Sequence, residues 1–134
     1  MIDPQTALIY TMVMVSAADR DMTDAELQTI GDMVKHLPVF HDYDLSGLTK
    51  TAQDCAELLA DPDGLDKGLA EIGGALPDKL RETAYALACD VAAADGTVAQ
   101  EELRLLEWLR HGLKIGRLKA AAIEYGAKVR HATI

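Results

Sequence analysis

Residues 16–30 read SAADRDMTDAELQTI, and residues 92–106 read AAADGTVAQEELRLL. Set 76 positions apart, the two stretches share Ala17/Ala93, Ala18/Ala94, Asp19/Asp95, Glu26/Glu102 and Leu27/Leu103, with apolar residues also matched at Met22/Val98 and Ile30/Leu106. Each stretch follows an apolar run of helical spacing and opens another, so the repeated unit is helix, acidic turn, helix. What both copies keep is a pair of carboxylates seven residues apart, one on each side of the turn. A chain that repeats a helical hairpin is predicted to fold from helices alone.

Composition agrees. A chain of 134 residues fits one domain, here 1–134, and can bury roughly two thirds of its unfolded surface. Apolar residues make up 49% but aromatics only 4%, so the core must come from Leu, Ala, Val, Ile and Met, which suits close helix packing. The β-branched and aromatic runs that favour strands are missing. The net charge of −9 speaks against nucleic acid, whose binders need a basic footprint, and fits cations or a basic partner better. The charge is uneven: residues 1–103 hold 20 acidic and 6 basic side chains, residues 104–134 hold 2 and 7. That cationic end either neutralises the acidic body within one fold or forms a docking face for an anionic partner. The apolar stretch Ala7–Ala18 is too short to span a bilayer, and Asp3 stands where a signal peptide would be positive, so the expectation is a cytoplasmic protein without membrane insertion. Cys55 and Cys89, without a CxxC or Cys/His cluster, read as buried free thiols in a reducing compartment.

Seven helices can be placed. Asp3-Pro4 supplies an N-cap and a proline at the first helical position, starting a helix that runs to about Ala18. Thr23-Asp-Ala-Glu26 is a capping-box pattern opening a second helix, with Leu27, Ile30, Val34 and Leu37 on its apolar face and Pro38 at its end. The third puts Leu45, Leu48, Ala52, Cys55 and Leu59 on one face. Asp61-Pro62 opens a short fourth, closed by Gly73-Gly74, and Pro77 starts a fifth with Leu80, Ala84, Leu87 and Val91 buried. The sixth, about Ala99 to Gly112, turns Leu103, Leu106 and Leu109 inward, and the seventh, near Gly116 to Arg130, shows an apolar row at Leu118, Ala122, Tyr125 and Val129. The expectation is an all-α, single compact bundle of about seven helices with an internal pseudo-twofold repeat, helices 1–2 matching helices 5–6.

The repeated carboxylates are the candidate site. Asp19 and Asp95 fall near helix C-termini, where the helix dipole disfavours negative charge. Such a placement in both copies points to a positive counter-group, either a following helix N-terminus or a bound cation. A local account stands beside this one: Glu26 can back-bond to the Thr23 amide, and the aspartates can accept amide hydrogens within their turns. In the second copy Ala99 replaces the capping threonine, so Glu102 lacks a capping-box partner. There Asp90, Asp95, Glu101 and Glu102 crowd together, with Gly96 able to adopt a positive φ. The candidate metal ligands are Asp95, Glu102, Asp19, Glu26, Asp90 and Glu101. Hard oxygen donors of this kind suit Ca²⁺ or Mg²⁺ rather than zinc.

The phrase AAADGTVAQEE at 92–102, preceded by an apolar helix and echoed as SAADRDMTDAE at 16–26, resembles the signature of the TerB family of tellurite-resistance proteins. That signature is an alanine-rich helix end, Asp-Gly, a hydrophobic residue and a glutamate opening the next helix. Length and the two-copy layout also agree, so the resemblance covers most of the chain. It implies an all-α fold of about seven helices, a metal-binding acidic cluster and a role in bacterial tellurite or related stress responses. The module is also similar to the N-terminal part of a membrane-anchored DnaJ-type co-chaperone, so the fold alone does not assign the role. On matching positions, Asp19 and Glu26 correspond to the first motif and Asp95, Gly96 and Glu102 to the second. The first copy departs from the pattern with Arg20 in the glycine slot, which would weaken that half-site.

Other motifs are weaker. Asp42-Tyr-Asp44-Leu-Ser46-Gly47, with Gln53 at the twelfth place, resembles an EF-hand loop but lacks the aliphatic at position eight and the bidentate Glu at twelve. It reads better as an acidic turn in which Asp44 or Ser46 caps the third helix. His36, His41, His111 and His131 lie near helix ends, neither cysteine has a spaced histidine partner, and no Gly-rich phosphate loop occurs. The expectation is a non-enzymatic protein. Against the cation-binding reading stands an interaction domain without metal, docking a protein partner through helices 6–7 with Trp108, Arg110, Lys114, Arg117 and Tyr125 as candidates. Trp108 would be either an exposed anchor or a lid on the core against helix 7.

Overall fold

Asp3 accepts the backbone amide of Thr6 at 2.8 Å, with Pro4 in the first turn, and from this cap α1 runs over Pro4–Ser16. Ala7 to Ser16 are all buried. A helix apolar on every side is one packed on every side, and α1 is the central rod of the molecule. In the computed structural model, which describes residues 2–18, 22–94, 98 and 100–134, it is surrounded by α2 (Asp24–His36), α3 (Leu48–Ala60), α4 (Gly64–Ala75), α5 (Asp78–Ala93) and α6 (Gln100–Gly112). The seventh helix, α7 (Arg117–Arg130), packs chiefly on α5, one layer further out. No strand occurs among the described residues. The 76-residue register of the repeat reappears in the bounds of α2 and α6.

Local chemistry explains most boundaries. Thr23 Oγ1 accepts the Glu26 amide at 3.1 Å, while Glu26 Oε1 accepts the Thr23 amide at 2.9 Å, so the capping box is formed reciprocally. Glu26→Ala is expected to cost about 0.5–2 kcal/mol, by analogy with N-cap losses. Denaturant midpoints of Glu26→Ala, Thr23→Ala and the double variant check this. The double variant should cost less than the sum of the singles, because each single already breaks the shared box.

Four sequence expectations are corrected. The pair Gly73-Gly74 lies inside α4 and does not close it. The helix ends at Ala75, where Leu76 turns extended (φ −87°, ψ 125°) ahead of Pro77, because a residue before proline is pushed out of the α region. Leu45 sits in a 3₁₀ turn, Leu45–Gly47, ahead of α3, and Asp44 caps that turn by accepting the Ser46 amide at 3.0 Å. On α6 the buried residues are Glu102, Leu105 and Leu109, whereas Leu103 is exposed. Leu109 can join Leu106 and Leu103 at three-residue spacing or Leu105 at four, and packing selects the second pairing.

The fourth correction is the largest. The apolar row of α7 points outward, with Leu118 83%, Tyr125 67% and Val129 56% exposed, while Ala120 and Ala127 are buried. Small side chains allow α7 to approach α5 closely. Three polar ties then hold its rotation: the Tyr85 hydroxyl donates to Glu124 at 2.6 Å, Lys119 to Glu82 at 3.0 Å and Arg130 to Asp90 at 2.6 Å. Cys55 and Cys89 are free and buried, and burial pushes both thiols up to about 12.

Candidate functional site

The end of α1, the first turns of α2 and the end of α5 meet around a cavity of about 110 Å³ lined by Ser16, Ala25, Glu26, Thr29, Val91 and Ala94. Both copies of the repeat therefore contribute to one wall. Ser16 is 2% exposed, and its Oγ has no hydrogen-bond partner among the described protein groups. Two other helical hydroxyls back-bond to the preceding turn: Thr11 donates to Ala7 O at 2.9 Å and Thr29 to Ala25 O at 3.1 Å. Ser16 does not. A buried hydroxyl left unpaired costs about 1–3 kcal/mol, so a ligand in this cavity would gain a donor already desolvated. Ser16 opens the first repeat, and its neighbours in sequence carry no signal for this role. Its burial depends on α5 and α2 closing over the end of α1, which no local pattern reports.

The six acidic candidates do not share one place. Glu26 is half-buried on the cavity wall and engaged in the capping box. Glu102 is 7% exposed in the first turn of α6, so it is a buried carboxylate at the end of a helix that favours negative charge. Glu101 lies on a different groove, formed by α1, α3, α4 and α6 and including Met14, Leu65, Arg104 and Trp108. Asp90 faces α7, with Arg130 Nη2 at 2.6 Å and His131 Nε2 at 3.4 Å. Asp19 and Asp95, together with Arg20 and Gly96, lie outside the described residues. Among the described residues no group of three His, Cys, Asp or Glu side chains gathers as a metal-ligand set.

The remaining motifs resolve locally. Asp42 Oδ1 accepts from Gln5 Nε2 at 2.8 Å, and Ser46 Oγ donates to Asp44 Oδ1 at 2.7 Å. Those bonds hold both carboxyls below their ordinary value and tie the EF-hand-like segment into a turn. Trp108 is half-buried on the groove with Met14, Leu59 and Leu65, away from α7, so it neither covers the core against that helix nor stands clear of the surface.

The family model described as "Tellurite resistance protein TerB" matches residues 5–124. The chain belongs to the TerB family. The matched segment contains α1 to α6, both acidic turns and the first half of α7. No curated protein and no solved structure matches the chain. Toward the divalent cation that the family resemblance implies, the described side chains of the cavity wall offer oxygen donors, namely the Glu26 carboxylate and the Ser16 and Thr29 hydroxyls. That donor chemistry fits a hard, partly hydrated cation and not zinc.

Proposed function

We propose that this TerB protein is a non-enzymatic stress-response module, of tellurite-resistance type, that binds Ca²⁺ or Mg²⁺ at the cavity between the ends of α1 and α5 and the start of α2. The observation that carries this reading is the cavity shared by both repeat copies, with a buried Ser16 hydroxyl that has no partner among the described residues, beside Glu26. In sequence, Asp19 follows Ser16 by three residues and Asp95 directly follows Ala94, so both repeated aspartates adjoin wall residues of the cavity. Ca²⁺ takes six to eight oxygens, so about half the shell would be water. Glu26 would serve as both cap and ligand, Ser16 as a neutral donor, and Asp95 as the stronger of the two turn carboxylates. Gly96 follows Asp95, whereas Arg20 follows Asp19 and offsets its charge. Glu102, Asp90 and Glu101 stand further down the order; the ion pair of Asp90 with Arg130 already occupies that carboxylate.

Thermal unfolding with chelator and with Ca²⁺, Mg²⁺ or Mn²⁺ tests the reading. A ligand bound by the native state alone stabilises by about 1.4 kcal/mol at tenfold excess over Kd. Asp95→Asn should reduce that gain more than Asp19→Asn does. Ser16→Ala is the sharper variant: it should raise stability in chelator, by removing an unpaired buried hydroxyl, and still diminish the metal-induced gain. A wild-type protein whose unfolding is unmoved by millimolar Ca²⁺, Mg²⁺ and Mn²⁺ would rule the cation site out and leave the family's stress role to protein contacts.

A further inference from the structure

Leu118, Ala122, Tyr125 and Val129 fall at i, i+4, i+7 and i+11, which is one straight face of α7, and all four are exposed. Scattered surface leucines need no explanation, but a continuous apolar row over three turns does. Its borders are cationic on both sides. Helical geometry puts Arg117 and Lys128 along one edge and Lys119 and Arg130 along the other. The first two are exposed and make no ion pair among the described residues, and the second two reach back to Glu82 and Asp90 of α5. The one acidic residue of α7, Glu124, accepts the Tyr85 hydroxyl of α5.

We propose that this face of α7 docks an amphipathic helix of a partner protein whose apolar row is flanked by Asp and Glu. Charge complementarity selects that occupant. A second copy of this chain would bring cationic edges together whichever way the helices ran: antiparallel pairing sets Arg117 against the second copy's Lys128, and parallel pairing sets Arg117 and Lys128 against Lys119 and Arg130. An acid-flanked helix meets a cation on each edge and an apolar row between, which is helix-in-groove recognition with its register set by the four apolar anchors. Next to the Lys128 edge, α5, α6 and α7 enclose a groove of about 550 Å³ whose lining includes Ala92, Val98, Leu103 and Leu106, with Arg110 and Glu107 also on its wall. A bulky side chain from the docked helix has a place there. This inference stands apart from the cation site, which lies on α1, α2 and α5.

The test is fluorescence anisotropy with two designed, labelled peptides of about three heptads, identical in their leucine row, one flanked by Glu and the other by Lys. The Glu-flanked peptide is expected to bind saturably, and its affinity to fall at least about tenfold between low and high salt. Leu118→Asp and Tyr125→Asp should each weaken it at least tenfold while leaving the melting temperature unchanged, because both side chains are exposed. The double reversal Arg117→Glu with Lys128→Glu should turn preference toward the Lys-flanked peptide. Equal binding of both peptides, or of neither, overturns the proposal. So does a concentration-dependent dimer in sedimentation that Tyr125→Asp abolishes, which would assign the face to a second copy. Binding to vesicles of phosphatidylglycerol and phosphatidylcholine in the absence of peptide binding overturns it as well, in favour of a lipid surface.

Discussion

Leu8→Ala is expected to lower the unfolding free energy by about 2–5 kcal/mol, the range for truncating a large aliphatic side chain in a core that relaxes incompletely. Leu8 is fully buried on α1, the helix that α2 to α6 surround, so a cavity there has packed neighbours on every side. At roughly 3–5 °C per kcal/mol for a domain of this size, the melting temperature should fall by on the order of 10 °C. Leu118→Ala provides the control. The same chemical change on the 83% exposed leucine of α7 should stay within about 0.5 kcal/mol of wild type. Urea midpoints at constant m-value decide it. Equal losses at the two leucines would mean that the α7 row is covered in solution.

Among the described glycines, Gly64→Ala should be the most damaging substitution. A Cβ on Gly64 would lie 2.2 Å from the Leu58 carbonyl oxygen and 2.8 Å from the Leu59 Cα. Both are backbone atoms of α3, so no side-chain rotation relieves the clash, and the end of α3 must part from the start of α4. Overpacking costs about 1–3 kcal/mol when side chains can adjust, and a backbone clash of this depth is expected at about 3 kcal/mol or above. Gly112 makes a useful contrast, since the three atoms nearest its Cβ would all belong to the Leu69 side chain, the closest at 2.6 Å. Gly73→Ala and Gly74→Ala should go the other way. Nothing lies within 4 Å of either Cβ, and both glycines are inside α4, so alanine should stabilise by about 0.5–1 kcal/mol. Thermal melts of the four variants should rank Gly64→Ala lowest and the Gly73 and Gly74 variants above wild type. A Gly64→Ala protein as stable as wild type would contradict the close approach of α3 and α4.

Of the cavity's wall residues only Glu26 is legible in the sequence as a candidate ligand, and the unreadable part has one cause. The paired carboxylates of the repeat were visible because identity at fixed spacing survives in a string of letters. The capping role of Glu26 was visible because a capping box needs only residues three apart. Ser16 was not visible. Its hydroxyl becomes a buried, unpartnered donor through contacts with α2 and α5, from residues up to 78 positions away. Nor could the spacing tell that Asp90 would turn toward α7 and pair with Arg130, 40 residues on, while Glu101 turned to a groove with α1, α3 and α4.

Sequence alone determined the all-α class, the seven helices, the starts of α1, α2 and α5, and the family, because caps, proline stops and helical periodicity act within a few residues. The central place of α1 follows from the structure, in which a helix apolar on every side is packed on every side. Only the tertiary structure decided which way each outer helix faces. On α6 and α7 the sequence offers two rows of apolar or small residues, and hydrophobicity favours Leu103 and Leu118. Close packing favoured Leu105, Leu109, Ala120 and Ala127, because helix axes approach closest over small or interlocking side chains, and the α5 ties to Glu124, Lys119 and Arg130 held that choice. Periodicity records that a helix has an apolar face; the shape of its neighbours decides which face is covered and which is left outward for a partner.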